Sequence, residues 1–185
     1  MANCVLVPTH ITAMDVDAYN RVGIAETDIP NGTPLVCGVC STDADKKHVF
    51  KVTAANGAVK GVWLAYSPEV IQNDVNGQAI KGVLVDPRNF TNVANRPFDM
   101  FKPVAGVDLI QVTKEFFDDG KDPKTVAGAT YVEIQADGKF DAVAEATAQF
   151  ANTQFRIVQT EPIIIGNGAI GGEAVDAWIL ECTIN

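Results

Sequence analysis

Serine, histidine and basic residues are scarce in this chain, and each shortage removes a class of chemistry. Ser41 and Ser67 are the only serines, no G-x-S-x-G occurs, and His10 and His48 are the only histidines. A serine hydrolase needs its nucleophile beside a positioned base, so that class is not expected. Lys and Arg number 14 against 23 Asp and Glu, a net charge of -9, and the densest basic run is Lys46-Lys47. Nucleic-acid affinity comes mainly from clustered cations, so no nucleic-acid partner is expected; the acidity reads as solubility and suppression of non-specific contacts. Long apolar runs are missing too. The longest stretches, "VLV", "PIII" and "AWIL", fall far short of the ~18 residues of a membrane span. "MANCVLVPTH" has neither the basic start nor the apolar run of a signal peptide, so synthesis in the cytoplasm without a membrane partner is expected.

Cysteine is sparse but suggestively placed. Four are present, and "LVCGVCSTDADKKHVF" joins a C-x-x-C at Cys37 and Cys40 to His48. A redox couple of the thioredoxin kind sits at a helix N-terminus, whereas "STDADKK" after Cys40 is turn-like. A zinc site needs four ligands, so Cys37, Cys40 and His48 would have to recruit Cys4, Cys182 or His10, and no second paired motif exists. On a regular strand, residues three apart face opposite ways, which separates the two sulfurs unless Gly38 forms a bulge. Inert thiols on opposite faces are the expectation. Cys37, Cys40 and His48 stand as weak metal candidates, and no cofactor is expected.

What the chain has in quantity is short, β-branched apolar runs punctuated by Gly, Pro, Asn and Asp, with 47% hydrophobic and 20% charged residues overall. This is the pattern of a mainly β protein, an antiparallel sandwich or barrel with few short helices. The predicted strands are Cys4-Val7, Pro34-Cys40, His48-Thr53, Val59-Ala65, Ala79-Val85, Val107-Thr113, Thr130-Gln135, Phe155-Thr160, Pro162-Ile165 and Ala174-Thr183. "IPNGTP", "AANGAV", "DVNGQA" and "QADGKF" each carry an Asn-Gly or Asp-Gly pair suited to hairpin turns. Helical signals are limited to a turn or two in "DAVAEATAQFAN" and a single turn in "SPEVIQND".

Other clusters read as connections. "FFDDGKDPK" lacks the alternating acids of a calcium loop and reads as a solvated turn. "GNGAIGG" lacks the fingerprint of a phosphate loop and reads as a turn between the last strands. "TDADKKH" reads as a charged hairpin tip. The segment 86–108, "DPRNFTNVANRPFDMFKPVAGVD", mixes Pro, Phe and Arg without a period and reads as a long ordered loop or a domain junction. A boundary near Phe98 to Ala105 divides the chain into β-rich portions 1–100 and 101–185; a single domain is the equal alternative.

Four stretches, "DIPNGTPLVCG", "GVWLAYSPEV", "DPRNFTNVANRPFDMFKPVAGVDLIQVT" and "AWILECTIN", resemble small virion proteins of tailed bacteriophages, the capsid decoration or head-associated proteins often encoded beside the major capsid protein. The resemblance implies a structural role without catalysis: a cement or head-fibre component on the capsid exterior, partnered by the major capsid protein and commonly oligomeric. It carries over no active-site residues. Exposed aromatics and arginines are the usual interface anchors, which selects Arg88, Phe90, Arg96, Phe98 and Phe101. For the phenylalanines the competing reading is core packing. The alternative functions are a carbohydrate- or host-surface-binding β module, weakened by Trp63 and Trp178 lying in apolar strands, and an enzyme with a spatially assembled carboxylate site.

Overall fold

The computed structural model describes residues 3–57, 59–68, 86–135, 138–145, 152–165 and 172–185, and the backbone of 73–75 and 78–80. The protein is mainly β, and among the described residues no helix reaches seven residues. The strands are β1 (Leu6–His10), β2 (Asn20–Ile24), β3 (Pro34–Cys40), β4 (Val49–Ala54), β5 (Trp63–Ala65), β6 (Asn73–Val75), β7 (Gln78–Ile80), β8 (Phe98–Phe101), β9 (Leu109–Thr113), β10 (Tyr131–Ile134), β11 (Phe140–Val143), β12 (Gln154–Thr160), β13 (Ile163–Ile165), β14 (Glu173–Val175) and β15 (Ala177–Ile184). They form a closed barrel, β2-β4-β3-β5-β8, a six-stranded antiparallel sheet, β1-β9-β15-β12-β10-β11, and two hairpins, β6-β7 and β13-β14.

The predicted strands locate most of these elements, and the departures have physical causes. The Val59-Ala65 run shortens to β5 because Gly61 takes φ +70°, a left-handed backbone that ends a strand. The last predicted strand divides at Asp176, whose carbonyl accepts from the Lys114 amide. β2, β6, β8 and β11 are strands that the sequence pattern did not mark. Of the four Asn-Gly or Asp-Gly signals, those near residues 77 and 138 lie between paired strands. Those at Gly32 and Gly57 instead connect strands that do not pair with each other. Residues 69–72, 81–85, 146–151 and 166–171, on which parts of the two predicted helical turns, a strand and the glycine-rich turn fall, lie outside the described residues. Where those helical segments are described, Asp141 to Val143 belong to β11 and Asn73 and Asp74 to β6 instead.

Closure explains the one parallel contact of the barrel. Strand directions cannot alternate around a ring of five, so at least one neighbouring pair must run parallel. That pair is β2 and β4, with Gly23 opposite Phe50. The interior is small and holds Leu35, Val52, Trp63, Ala65, Phe98 and Met100. Gly23 faces it, and a Cβ there would come within 3.3 Å of Met100, Phe98 and Val52. A side chain at that level would have to push these neighbours aside by a few tenths of an ångström.

Alternation along β5 and β8 gives the barrel wall two cores. Trp63, Ala65 and Met100 point inward, while Leu64 and Phe101, which pair across the strands, point outward. These two side chains join the larger core under the six-stranded sheet, where Phe116 stacks on Phe140 at 4.1 Å and Phe117 meets Trp178 edge-on at 5.4 Å. This core takes residues from both sides of position 100, and β1 belongs to the same sheet as β9, β10, β11, β12 and β15.

Two polar clamps close the junction. The Asn185 amide accepts from the Val62 N–H at 2.8 Å and the Thr153 hydroxyl at 2.7 Å, and donates to the Val62 and Pro103 carbonyls. The buried Asp108 carboxylate accepts from the Thr12 amide, the Thr12 hydroxyl and the Val104 amide, all within 2.8 Å. Burying these groups is tolerable because their hydrogen-bonding capacity is used.

The open sheet protects its edges locally. On β11, the Asp118 amide donates to the Phe140 carbonyl and the Ala142 amide donates to the Lys121 carbonyl, so the acidic turn "FFDDGK" covers the strand. Lys121–Asp141 and Lys139–Asp118 ion pairs reinforce the cover. At the other edge, Pro8 removes a donor from β1, whose register then shifts before His10.

Candidate interaction surface

The segment 86–97 is an ordered loop built by its own prolines and asparagines. Pro87 opens a single 3-10 turn, and Asp86 caps it by accepting from the Arg88 amide at 2.9 Å. Arg88 also holds Asp86 through its side chain and reaches Glu173 at 2.9 Å. Its hydrogen bonds keep the Asp86 carboxyl below its ordinary value near 3.8, against a smaller opposing effect of burial. The turn is thereby tied to β14.

Further along, Asn92 and Ile29 exchange backbone hydrogen bonds at 2.9 Å. The buried Asn92 side chain donates to Ile29 O and to Asn31 Oδ1, and Asn31 in turn donates to the Ser67 carbonyl. Two more bonds seat the apex: the Ala94 amide on Asp28 Oδ1 and the Asn95 amide on the Ala25 carbonyl, both at 2.8 Å. Asn95 takes φ +59°, which asparagine tolerates better than most residues. The apex, 93–97, is thus fixed from both sides while Val93, Asn95, Arg96 and Pro97 remain exposed.

Asn95 also lines a cleft of about 640 Å³ bounded by β3 and β4, with Val36, Val39, Lys46 and Lys51 in its walls. Val39 is 76% exposed and Val93 is 54% exposed. Lys46 is paired with Asp43 at 3.5 Å across the charged hairpin tip. Arg96 has no ion pair among the described residues, so its charge is available to a partner.

The five sequence-predicted anchors therefore separate. Arg96 is exposed at the apex, and Phe90 is half-buried with its carbonyl bound by Asn3 at 2.8 Å. Arg88 is committed to Asp86 and Glu173. Phe98 lies in the barrel interior and Phe101, at 1% exposure, in the shared core. Both phenylalanines are buried, because both occupy inward or core-facing positions of β8. Val39 and Val93 are surface residues missed by sequence reading, since an isolated valine carries no signal distinguishing exposure from burial.

The thiols also differ from expectation. The β3-β4 register shifts between Cys37, opposite Val52, and Cys40, opposite Phe50. The bulge restores both cysteines to one face of the strand, whereas an uninterrupted strand would have put them on opposite faces. Gly38 makes the bulge possible, since a Cβ there would lie 2.9 Å from the Lys51 carbonyl oxygen. Cys37 is half-buried and Cys40 exposed, both as free thiols, while Cys4 and Cys182 are buried. His48 is exposed at φ +69° in the hairpin tip, just before β4. Among the described residues no group of three or more His, Cys, Asp or Glu is arranged to hold a metal ion.

Arg21 occupies the barrel mouth, an arrangement the sequence did not suggest. Its guanidinium lies 4.3 Å from the Phe50 ring centroid and 4.6 Å from that of Trp63, and Nη1 donates to Cys37 Sγ at 3.4 Å. In "NRVGI" the inward positions of β2 are Arg21 and Gly23, while Val22 faces out. This reverses the usual apolar-in pattern and hides the strand. The cation is held by ring faces and a thiol in place of a carboxylate.

Compared with known proteins, the chain matches no family model, no curated protein and no solved structure.

Proposed function

We propose that the protein is a non-enzymatic virion component that binds the exterior of a bacteriophage capsid, as cement or as part of a head fibre, through the 93–97 apex and the adjoining barrel face. The observation that carries this reading is the pinned apex. Five residues present an exposed valine and an exposed arginine, without an ion pair among the described residues, on backbone already fixed by Asn92, Asp28 and Ala25. Binding through preformed backbone avoids the ordering cost of a loose loop. The partner is the major capsid protein, and repeated modest contacts from an oligomer on a lattice add up through avidity. Nucleic acid and membranes are not partners in this reading. Both tryptophans are buried, which makes them unsuitable as exposed sugar-stacking platforms and disfavours the glycan-binding alternative.

Co-sedimentation of the purified protein with assembled capsid shells, alongside its mass in solution, tests the proposal. Saturable binding should fall by at least about tenfold in a Val93→Asp, Arg96→Glu variant, the loss expected when an anchor is truncated and its charge reversed. A protein that stays monomeric and ignores the shells would defeat the reading.

A further inference from the structure

At the opposite end of β2 from the 640 Å³ cleft lies a second groove, of about 550 Å³, between the 11–20 segment and the start of the barrel wall. Met14, Val22, Tyr66 and Phe101 are among its walls. Met14 is 64% exposed and Val22 36%, and Val16 beside the groove is 40% exposed. Large apolar side chains grouped at a concavity mark an interaction site more often than scattered ones do.

Charge decides what kind of partner fits. Asp17 and Asp99 line the groove and Asp15 adjoins it; all are exposed, and none makes an ion pair among the described residues. Arg21 is the only cation among the lining residues, and its guanidinium is committed to Phe50, Trp63 and Cys37, none of which lines the groove. The groove is therefore apolar within and negative at its rim. A second copy would bring like carboxylates together on a chain whose net charge is already -9, and like-charge juxtaposition opposes association.

We propose that this groove docks a segment of another protein that places one large apolar side chain in the cavity and a flanking Lys or Arg against Asp17 and Asp99. The apolar contact supplies affinity, and the carboxylates select the basic sequence over an acidic one. This site is separate from the 93–97 apex, and its occupation does not depend on capsid binding there.

The test titrates the full chain with a fluorescent peptide carrying leucine flanked by lysines, read by anisotropy. Control peptides replace the leucine with alanine or the lysines with glutamate. Saturable binding is expected for the first peptide, with dissociation constants about tenfold or more weaker for each control, since both burial of leucine and the charge pairing are lost separately. Met14→Glu should abolish binding; as an exposed residue it should leave the circular dichroism unchanged. An Asp17→Asn, Asp99→Asn variant should weaken binding and remove most of its salt dependence. Equal binding of the alanine peptide, absence of saturable binding, or a dimer that Met14→Glu dissociates would each overturn the proposal. Retained capsid binding beside a failed peptide titration would refute this site alone.

Discussion

The barrel and the six-stranded sheet share a wall at β5 and β8, yet they are built by different means. The barrel has no edges, a small interior relieved by Gly23 and a mouth stoppered by Arg21 over Phe50 and Trp63. The sheet keeps two edges, which Pro8 and the acidic turn protect, and fills its core with stacked phenylalanines and Trp178. Closure provides backbone pairing all round but leaves little room, and at the level of Gly23 an added side chain would crowd Met100, Phe98 and Val52. An open sheet has room for large aromatics but must manage its unpaired strand edges. Leu64 and Phe101 face the sheet from strands that also line the barrel, so neither region completes its packing alone.

The strongest way to challenge this comparison is at the shared wall. Phe101→Ala should cost ~3–5 kcal/mol as an aromatic-to-alanine change in a core. The two tryptophans make the two regions separately visible, Trp63 in the barrel and Trp178 in the sheet. Urea unfolding of Trp63→Phe and Trp178→Phe reporters, each with and without Phe101→Ala, should show coincident fluorescence transitions. Separate midpoints would mean that the wall does not couple the regions.

Asn185→Ala should have the next largest effect, ~1–3 kcal/mol, because it leaves the buried Val62 N–H and C=O without their partner. A chemical denaturation midpoint measures it, and an unchanged value would show that the clamp is dispensable. Arg21→Ala should cost less, ~0.5–2 kcal/mol for the stacked cation. It should also change the emission of Trp63 while leaving that of Trp178 alone; equal changes in both would remove the distinction between plugged barrel and aromatic sheet.

The thiols give the finest contrast, with no stability change expected. Cys40 should react first with a thiol reagent at neutral pH, and Cys37, held against Arg21, should follow more slowly. Cys4 and Cys182 should react only on unfolding. Burial, aided by Asp108 and Glu181, pushes the Cys182 thiol up to about 12, so it is both inaccessible and protonated. Rapid modification of all four in the native protein would contradict the core assignment.

β3 was legible residue for residue from "PLVCGVC" because its apolar run is bounded by turn chemistry on both sides. β2 was not, since Arg21 and Gly23 occupy the inward positions that the pattern assigns to large apolar residues. β8 was hidden inside a proline- and phenylalanine-rich stretch, and its apolar residues do not alternate because Phe98, Met100 and Phe101 are buried in two different cores while Asp99 is exposed. Among the interface candidates, Arg96 has the exposure that its residue type suggests. Phe98 and Phe101 were not, because sequence identifies an aromatic without saying whether its face of the strand meets solvent or a second core.

By itself, the sequence determined the β-rich class, the charged hairpin tip and the positions of most strands, since these follow from side-chain size, β-branching and turn residues within a few positions of one another. Only the tertiary structure decided which strands become neighbours. The parallel β2-β4 contact follows from closing an odd-numbered ring, a condition on the whole barrel that no local pattern contains. The bulge at Gly38 belongs to the same level: the Lys51 carbonyl comes so close there that only a residue without a side chain fits, and the register shift turns Cys37 and Cys40 to the same face.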